Sequence, residues 1–228
     1  MQLVQADVLK KWEAVYASGS DKRYPSLELV RLEYWLFGHP GQGKVLEYAC
    51  GTGVNTLHLL ECGYDVHAVD AAQGAIDLVR RKLAGRPDLA ARAHLSRIEP
   101  DARALPFADA SFDFVVAMSI LSLLGAESAA SHLLGEFRRV LKPGGKIILD
   151  INDHDSEFST NQEQLEPNVF LFRGMNGQDA PVRCFCLPDE ESFRRLIEPH
   201  FRIVDSGYSA HKLFGRRINE WIVSAVKD

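Results

Sequence analysis

The stretch KVLEYACGTG, residues 44–53, followed by a second apolar run ending at Asp70, constrains this chain more than any other feature. It reads as a strand, a glycine turn and a helix start, with Glu47 and Asp70 giving one carboxylate to each of two adjacent strands. Gly51 and Gly53 remove Cβ atoms where the backbone must turn tightly and approach a ligand. Asp70 falls close to the spacing of roughly 20 residues at which a nucleotide-binding fold offers an acid to ribose hydroxyls. The pattern implies a ligand with an adenosine-like half.

The residues around the glycines narrow the ligand further. A dinucleotide site calls for GxGxxG, the third glycine allowing close helix packing, but Thr56 occupies that third position. Glu47 would also set negative charge near a bound phosphate, which Coulomb's law disfavours. The same acid suits a ligand carrying an ammonium group and a sulfonium. Glu47, Gly51 and Gly53 form ExxxGxG, which resembles the first motif of the class I S-adenosylmethionine-dependent methyltransferases. Asp101 and LPFADASFDFVVA, residues 105–117, resemble that family's third-strand acid and fourth strand. LKPGGKIILD, residues 141–150, resembles its helix end, turn and fifth strand. The runs YPSLELVR and YSAHKLFGRRINEWIVSAVK are similar to segments of a tellurite-resistance-type branch.

That resemblance implies an α/β fold, a doubly wound, seven-stranded, mostly parallel sheet with an antiparallel last strand. It implies S-adenosylmethionine as cofactor and S-adenosylhomocysteine as product. Glu47 would orient the turn and the methionine end, and the Gly51 and Gly53 backbones would approach it. Asp70 would accept from both ribose hydroxyls, a bidentate charge-assisted contact. Asp101 would accept from the adenine amine, with Ala71 and Ala102 beside the base and Met118 beneath the methionine moiety. Tyr24 and Arg31 are candidates for closing over the cofactor, and Arg173 and Arg183 for pairing a substrate carboxylate or phosphate. His154, just past the fifth strand, is the candidate base. A base is needed only for an acceptor that is protonated when it attacks.

The rest of the pattern agrees with one doubly wound domain spanning residues 1–228. Strands are expected at 44–49, 64–70, 94–99, 112–118 and 146–151, and a closing pair at 201–208 and 219–226. Helices are expected at 55–62, 75–83, 127–141 and 190–198. Two segments fall outside this alternation. Residues 1–42, with Trp12, Tyr16, Tyr24, Trp35 and Phe37, read as a helical cap expected to cover the cofactor. Residues 152–188 read as a polar insertion with little periodicity, of the length that lids and binding loops take.

Composition excludes several function classes. The net charge of −5, with basic residues interleaved among acids, gives no source for the counterion release that drives nucleic-acid binding. The group Arg80, Arg81, Lys82 and Arg86 reads as a solvated helix face. No apolar run reaches the ~20 residues that span a bilayer, and residues 1–15 lack a signal-peptide core, so a cytoplasmic location is expected. Four cysteines without a second Cys/His pair at metal spacing predict buried thiols and no metal. A small-molecule acceptor is therefore expected, its identity and the oligomeric state left open. The alternatives are a dehydrogenase or aminopropyltransferase use of the same sheet, and a sensor or partner subunit that binds S-adenosylmethionine without turnover.

Overall fold

The computed structural model describes residues 2–37, 41–99, 101–173, 180–213 and 216–228. Parts of the expected cap (38–40), insertion (174–179) and closing hairpin (214–215) lie outside the described residues.

Two helices, α1 (Ala6–Ala17) and α2 (Leu27–Phe37), precede the alternation. Then follow β1 (Lys44–Tyr48), α3 (Val54–Glu61), β2 (Asp65–Asp70), α4 (Gln73–Leu83), the short α5 (Pro87–Ala90), β3 (Ala93–Arg97) and β4 (Phe112–Ala117). A 3-10 turn at Leu121–Leu124 leads to α6 (Glu127–Val140) and β5 (Leu141–Asn152). The chain closes with β6 (Glu163–Glu166), β7 (Val169–Phe172), β8 (Val182–Phe185), α7 (Glu190–Ile197), β9 (Arg202–Leu213) and β10 (Arg216–Val226).

Seven strands form one sheet in the order β3-β2-β1-β4-β5-β10-β9. The first five are mutually parallel, and β10 runs antiparallel to both β5 and β9. The sheet expected from the sequence is the one observed. Its closing hairpin is longer than expected, because the β9–β10 pairing runs from Arg202↔Val226 out to Leu213↔Arg216. β4 shows why the sheet needs helices on both sides. Phe112, Val115 and Ala117 face a core shared with α6 and α7, whereas Phe114 and Val116 face one shared with α2, α3 and α4. Strands buried on both faces read as continuous apolar runs, as FDFVVA does.

The insertion departs from expectation. Its residues form a second, three-stranded antiparallel sheet, β6-β7-β8. Phe170, Phe172, Val182, Cys184 and Cys186 bury one face of it against Val8 of α1 and Leu123. The short strands VFLF and VRCF carry too few residues for a period to stand out in the sequence. All four cysteines are free, three of them buried.

Candidate functional site

The strand order reverses between β1 and β4, and in open α/β sheets ligands bind outside the carboxyl ends of the strands at such a switch point. A cavity of about 300 Å³ lies there. Its floor comes from three strand ends: Tyr48 to Thr52 after β1, Asp70 to Ala72 after β2, and Met118 to Ile120 after β4. Two of these ends hold non-glycine residues in left-handed backbone, Ala49 at φ 60° and Ser119 at φ 59°. Strained backbone of this kind persists where the surroundings over-determine it, often at ligand clamps.

The turn after β1 shows why both glycines are needed. Gly53, at φ 76°, is the N-cap of α3, and a Cβ there would lie 2.4 Å from Val79 Cγ2. Gly51, at φ 54°, leaves room for the Tyr16 hydroxyl, 3.2 Å from where its Cβ would be. The Gly51 amide donates to Asp70 Oδ2 and the Ala72 amide to Asp70 Oδ1, both at 2.9 Å. These bonds orient the Asp70 carboxylate at the cavity wall and leave each oxygen a further lone pair. Burial is the largest influence on Asp70 and raises its pKa, against the lowering effect of the backbone amides.

Glu47 lies one layer deeper than expected for a ligand contact. It is 2% exposed, its carboxyl takes the Thr56 hydroxyl as donor, and it is not part of the cavity wall. Burial pushes its pKa up to about 8, with the Asp70 charge adding to the rise. Thr56, where a dinucleotide fold would have its third glycine, is thus the partner that fixes Glu47 beneath the turn.

The N-terminal cap covers the cavity. Trp12, Tyr16 and Tyr24 all line it, although Tyr24 is 82% exposed. Trp12 and Tyr16 stack with ring centroids 5.8 Å apart. Burial and the nearby Asp70 carboxylate raise the Tyr16 hydroxyl pKa. Several attachments hold the cap against α3 and α4 beside the cavity. Glu13 accepts from the Gln73 and Gly74 amides at the start of α4, where a carboxylate also meets the positive end of the helix dipole. Lys82 Nζ donates to the Thr52 and Lys22 carbonyls and pairs with Asp21, so it is not simply solvated. The Ser26 amide donates to Asn55 Oδ1 at 2.8 Å. The sequence marks Trp12 and Tyr16 only as cap aromatics. The available signal is their i, i+4 spacing with Val8, which sets all three on one helix face.

Gly51, Asp70, Ala71, Met118 and Tyr24 are brought together at this cavity. Asp101 is exposed on its far side, in a shallow depression with Gln2 and Lys10, and Val4 walls both spaces. Ala102 packs on the core, its carbonyl accepting from the Leu3 amide. Arg31 is exposed on α2. Arg173 and Arg183 pair with Glu163 and Glu166 within the small sheet. His154 Nε2 lies 3.2 Å from the Cys186 carbonyl, its ring edge-on to Phe170. Among the described residues, no arginine or histidine lines the cavity.

Comparison with known proteins follows the same lines. Residues 45–145 match the family model of a methyltransferase domain. A demethylmenaquinone methyltransferase of Clavibacter sepedonicus is 29% identical over 180 residues, 78% of this chain and 59% of that protein. The chain spans about half the length of the curated relatives it matches. Among solved structures, an S-adenosylmethionine-dependent methyltransferase from Methanosarcina mazei superposes with TM-score 0.72 at 23% identity, covering 91% of this chain and 99% of that one. The 1,6-didemethyltoxoflavin-N1-methyltransferase of Burkholderia thailandensis, solved with bound 1,6-didemethyltoxoflavin and S-adenosylhomocysteine, gives TM-score 0.69 at 19% identity over 97% and 88% of the two chains. Residues 45–145 thus resemble a methyltransferase domain, and the fold is shared with S-adenosylmethionine-dependent methyltransferases of solved structure.

Proposed function

We propose that this protein transfers the methyl group of S-adenosylmethionine to a small-molecule acceptor by in-line displacement. The observation that carries the reading is the Asp70 carboxylate, clamped by the Gly51 and Ala72 amides at the wall of a cavity roofed by Trp12 and Tyr16. Asp70 would accept the ribose hydroxyls, Ala71 and Ala72 would border the base, and the turn through Gly51 with Met118 would hold the methionine end. S-adenosylmethionine would supply a methyl group already activated by its sulfonium. The chain's own task is then alignment in a site closed to water, which can supply as much as ~7–11 kcal/mol of a barrier in well-oriented systems. The apolar side chains Val8, Leu9, Trp12, Leu123 and Leu124 would desolvate the acceptor beside the methyl group. No histidine lies among the described residues of the cavity wall, and His154 sits by the Cys186 carbonyl, so the reading is built on alignment and does not depend on a histidine base. The relatives support a small-molecule acceptor in kind, one being named for a quinone precursor and one for toxoflavin chemistry.

The test is thermal melting with S-adenosylmethionine, S-adenosylhomocysteine and NAD in parallel, followed by turnover against acceptor pools with S-adenosylhomocysteine as the readout. A ligand at 100 times its dissociation constant stabilises by about 2.7 kcal/mol. A shift with the two sulfur ligands and product above background is the expected result. A shift with NAD alone overturns the cofactor reading, and binding without product in any pool leaves a protein that only senses or sequesters the cofactor.

A further inference from the structure

A second constellation lies on the β2–β3 edge of the sheet, away from the cavity. Asp65 and His67 are two residues apart on β2 and so project from the same face. The register sets His94 of β3 directly opposite His67. The two imidazoles stack with centroids 4.3 Å apart and planes 20° from parallel, and His94 Nε2 lies 2.7 Å from Asp65 Oδ1. One donor atom from each of the three residues falls within 4.8 Å of the other two.

Packing explains only part of this arrangement. The His67 ring rests against the edges of Phe107 and Phe112, an ordinary aromatic contact. Yet its Nε2 is buried with no hydrogen-bond partner, and a buried polar atom left unpaired costs about 1–3 kcal/mol. A phenylalanine would pack there without that cost.

We propose that Asp65, His67 and His94 form a binding site for a divalent transition-metal ion, which would clip the edge strand β3 to β2. Two imidazoles and one carboxylate are the donor set of zinc, nickel, copper and cobalt sites; hard ions such as magnesium prefer all-oxygen surroundings. The half-exposed His94 and Asp65 leave the open side of the ion to water. Ligation would turn the imidazoles out of their near-parallel stack and exchange the His94 hydrogen bond to Asp65 for a metal–nitrogen bond of roughly 2.0–2.1 Å. Lys44, paired in register with Asp65, opposes the ion's charge, and the Asp65 carboxylate offsets it. The sequence hides this site because its histidines come together only through strand pairing.

Another donor set, Glu33, His58 and Cys62, serves as the internal control, since it contains a thiol that would ligate as a thiolate and its carboxylate already takes the Tyr64 hydroxyl as donor. The experiment uses the full chain without a polyhistidine tag, stripped with chelator and titrated with Zn²⁺ by calorimetry and with Co²⁺ by absorption. The expected result is one equivalent bound, a Co²⁺ spectrum free of a thiolate charge-transfer band, and a higher melting temperature. His67→Phe, which keeps the aromatic packing, and His94→Gln, at a half-exposed position, should each weaken binding at least ~10-fold, and Cys62→Ser should leave it unchanged. Retained secondary structure and cofactor-induced melting shift show that the variants fold. Failure of the wild-type chain to bind, binding by both histidine variants at wild-type strength, or a thiolate band lost in Cys62→Ser would each overturn the proposal.

Discussion

Replacing Asp70 by asparagine separates a carboxylate kept for a ligand from one kept for the fold. In the folded chain Asp70 Oδ2 takes the Gly51 N–H and Oδ1 the Ala72 N–H. Hydrogen bonds to a charged acceptor are worth about 1.5–3 kcal/mol each, and asparagine can keep only the one at Ala72, turning its NH₂ toward Gly51. That loss is opposed by a gain. The Asp70 pKa is raised above its unfolded value by burial, so its favourable contribution to stability is complete below the unfolded pKa and disappears as pH rises through the folded one. At neutral pH the buried charge therefore works against the empty fold, and neutralising it opposes the loss of the bond. The net change in unfolding free energy is expected to stay within about 2 kcal/mol. Ligand affinity has no such compensation, because the ribose loses a charge-assisted acceptor; S-adenosylhomocysteine should bind at least tenfold more weakly, about 1.4 kcal/mol. Urea unfolding of the ligand-free variant and calorimetry with S-adenosylhomocysteine read the two effects separately. Stability lower by more than ~3 kcal/mol with unchanged affinity would refute the reasoning and make Asp70 a structural clamp.

Three further outcomes are expected. Gly53→Ala forces an L side chain to φ 76° and 2.4 Å from Val79 Cγ2, costing about 1–2 kcal/mol for the backbone and about 1–3 kcal/mol for the clash; adding Val79→Ala should recover the second part in a double-mutant cycle, and strict additivity would count against the contact. Glu47, with its pKa raised from 4.5 to about 8, contributes stability that is full below pH 4.5 and lost as pH rises through about 8, so Glu47→Gln should flatten the pH dependence of the urea midpoint across that window. Parallel profiles for the two proteins would mean that Glu47 is not held neutral. Arg139 joins Glu136 and Asp109 to the Leu105 and Phe107 carbonyls, a fork that lysine cannot reproduce; Arg139→Lys should lose about 1–3 kcal/mol in urea unfolding, and a change under ~0.5 kcal/mol would show the network to be solvated.

The sequence by itself determined the sheet and the glycine turn that borders the cavity. Strand periodicity, the turn glycines and the acid at Asp70 are local properties, set within one β-turn-α unit, so they are legible wherever such a unit is written. The same holds for β4, whose apolar run admits only a strand buried on both faces. Tertiary structure alone decided what surrounds that unit. Glu47 withdrew beneath the turn, where Thr56, in the first turn of α3, donates its hydroxyl to it. Asp101 fell outside the cavity because the segment through Val4 walls the space between them, an arrangement that depends on where α1 docks. Arg173 and Arg183 found acidic partners across the strands of a sheet too short to show a period. His67 and His94 are opposite one another only by the β2–β3 register. Contacts of this kind join residues far apart in the chain, and which groups meet is settled by the packing of whole elements, so no local pattern in the sequence can carry them.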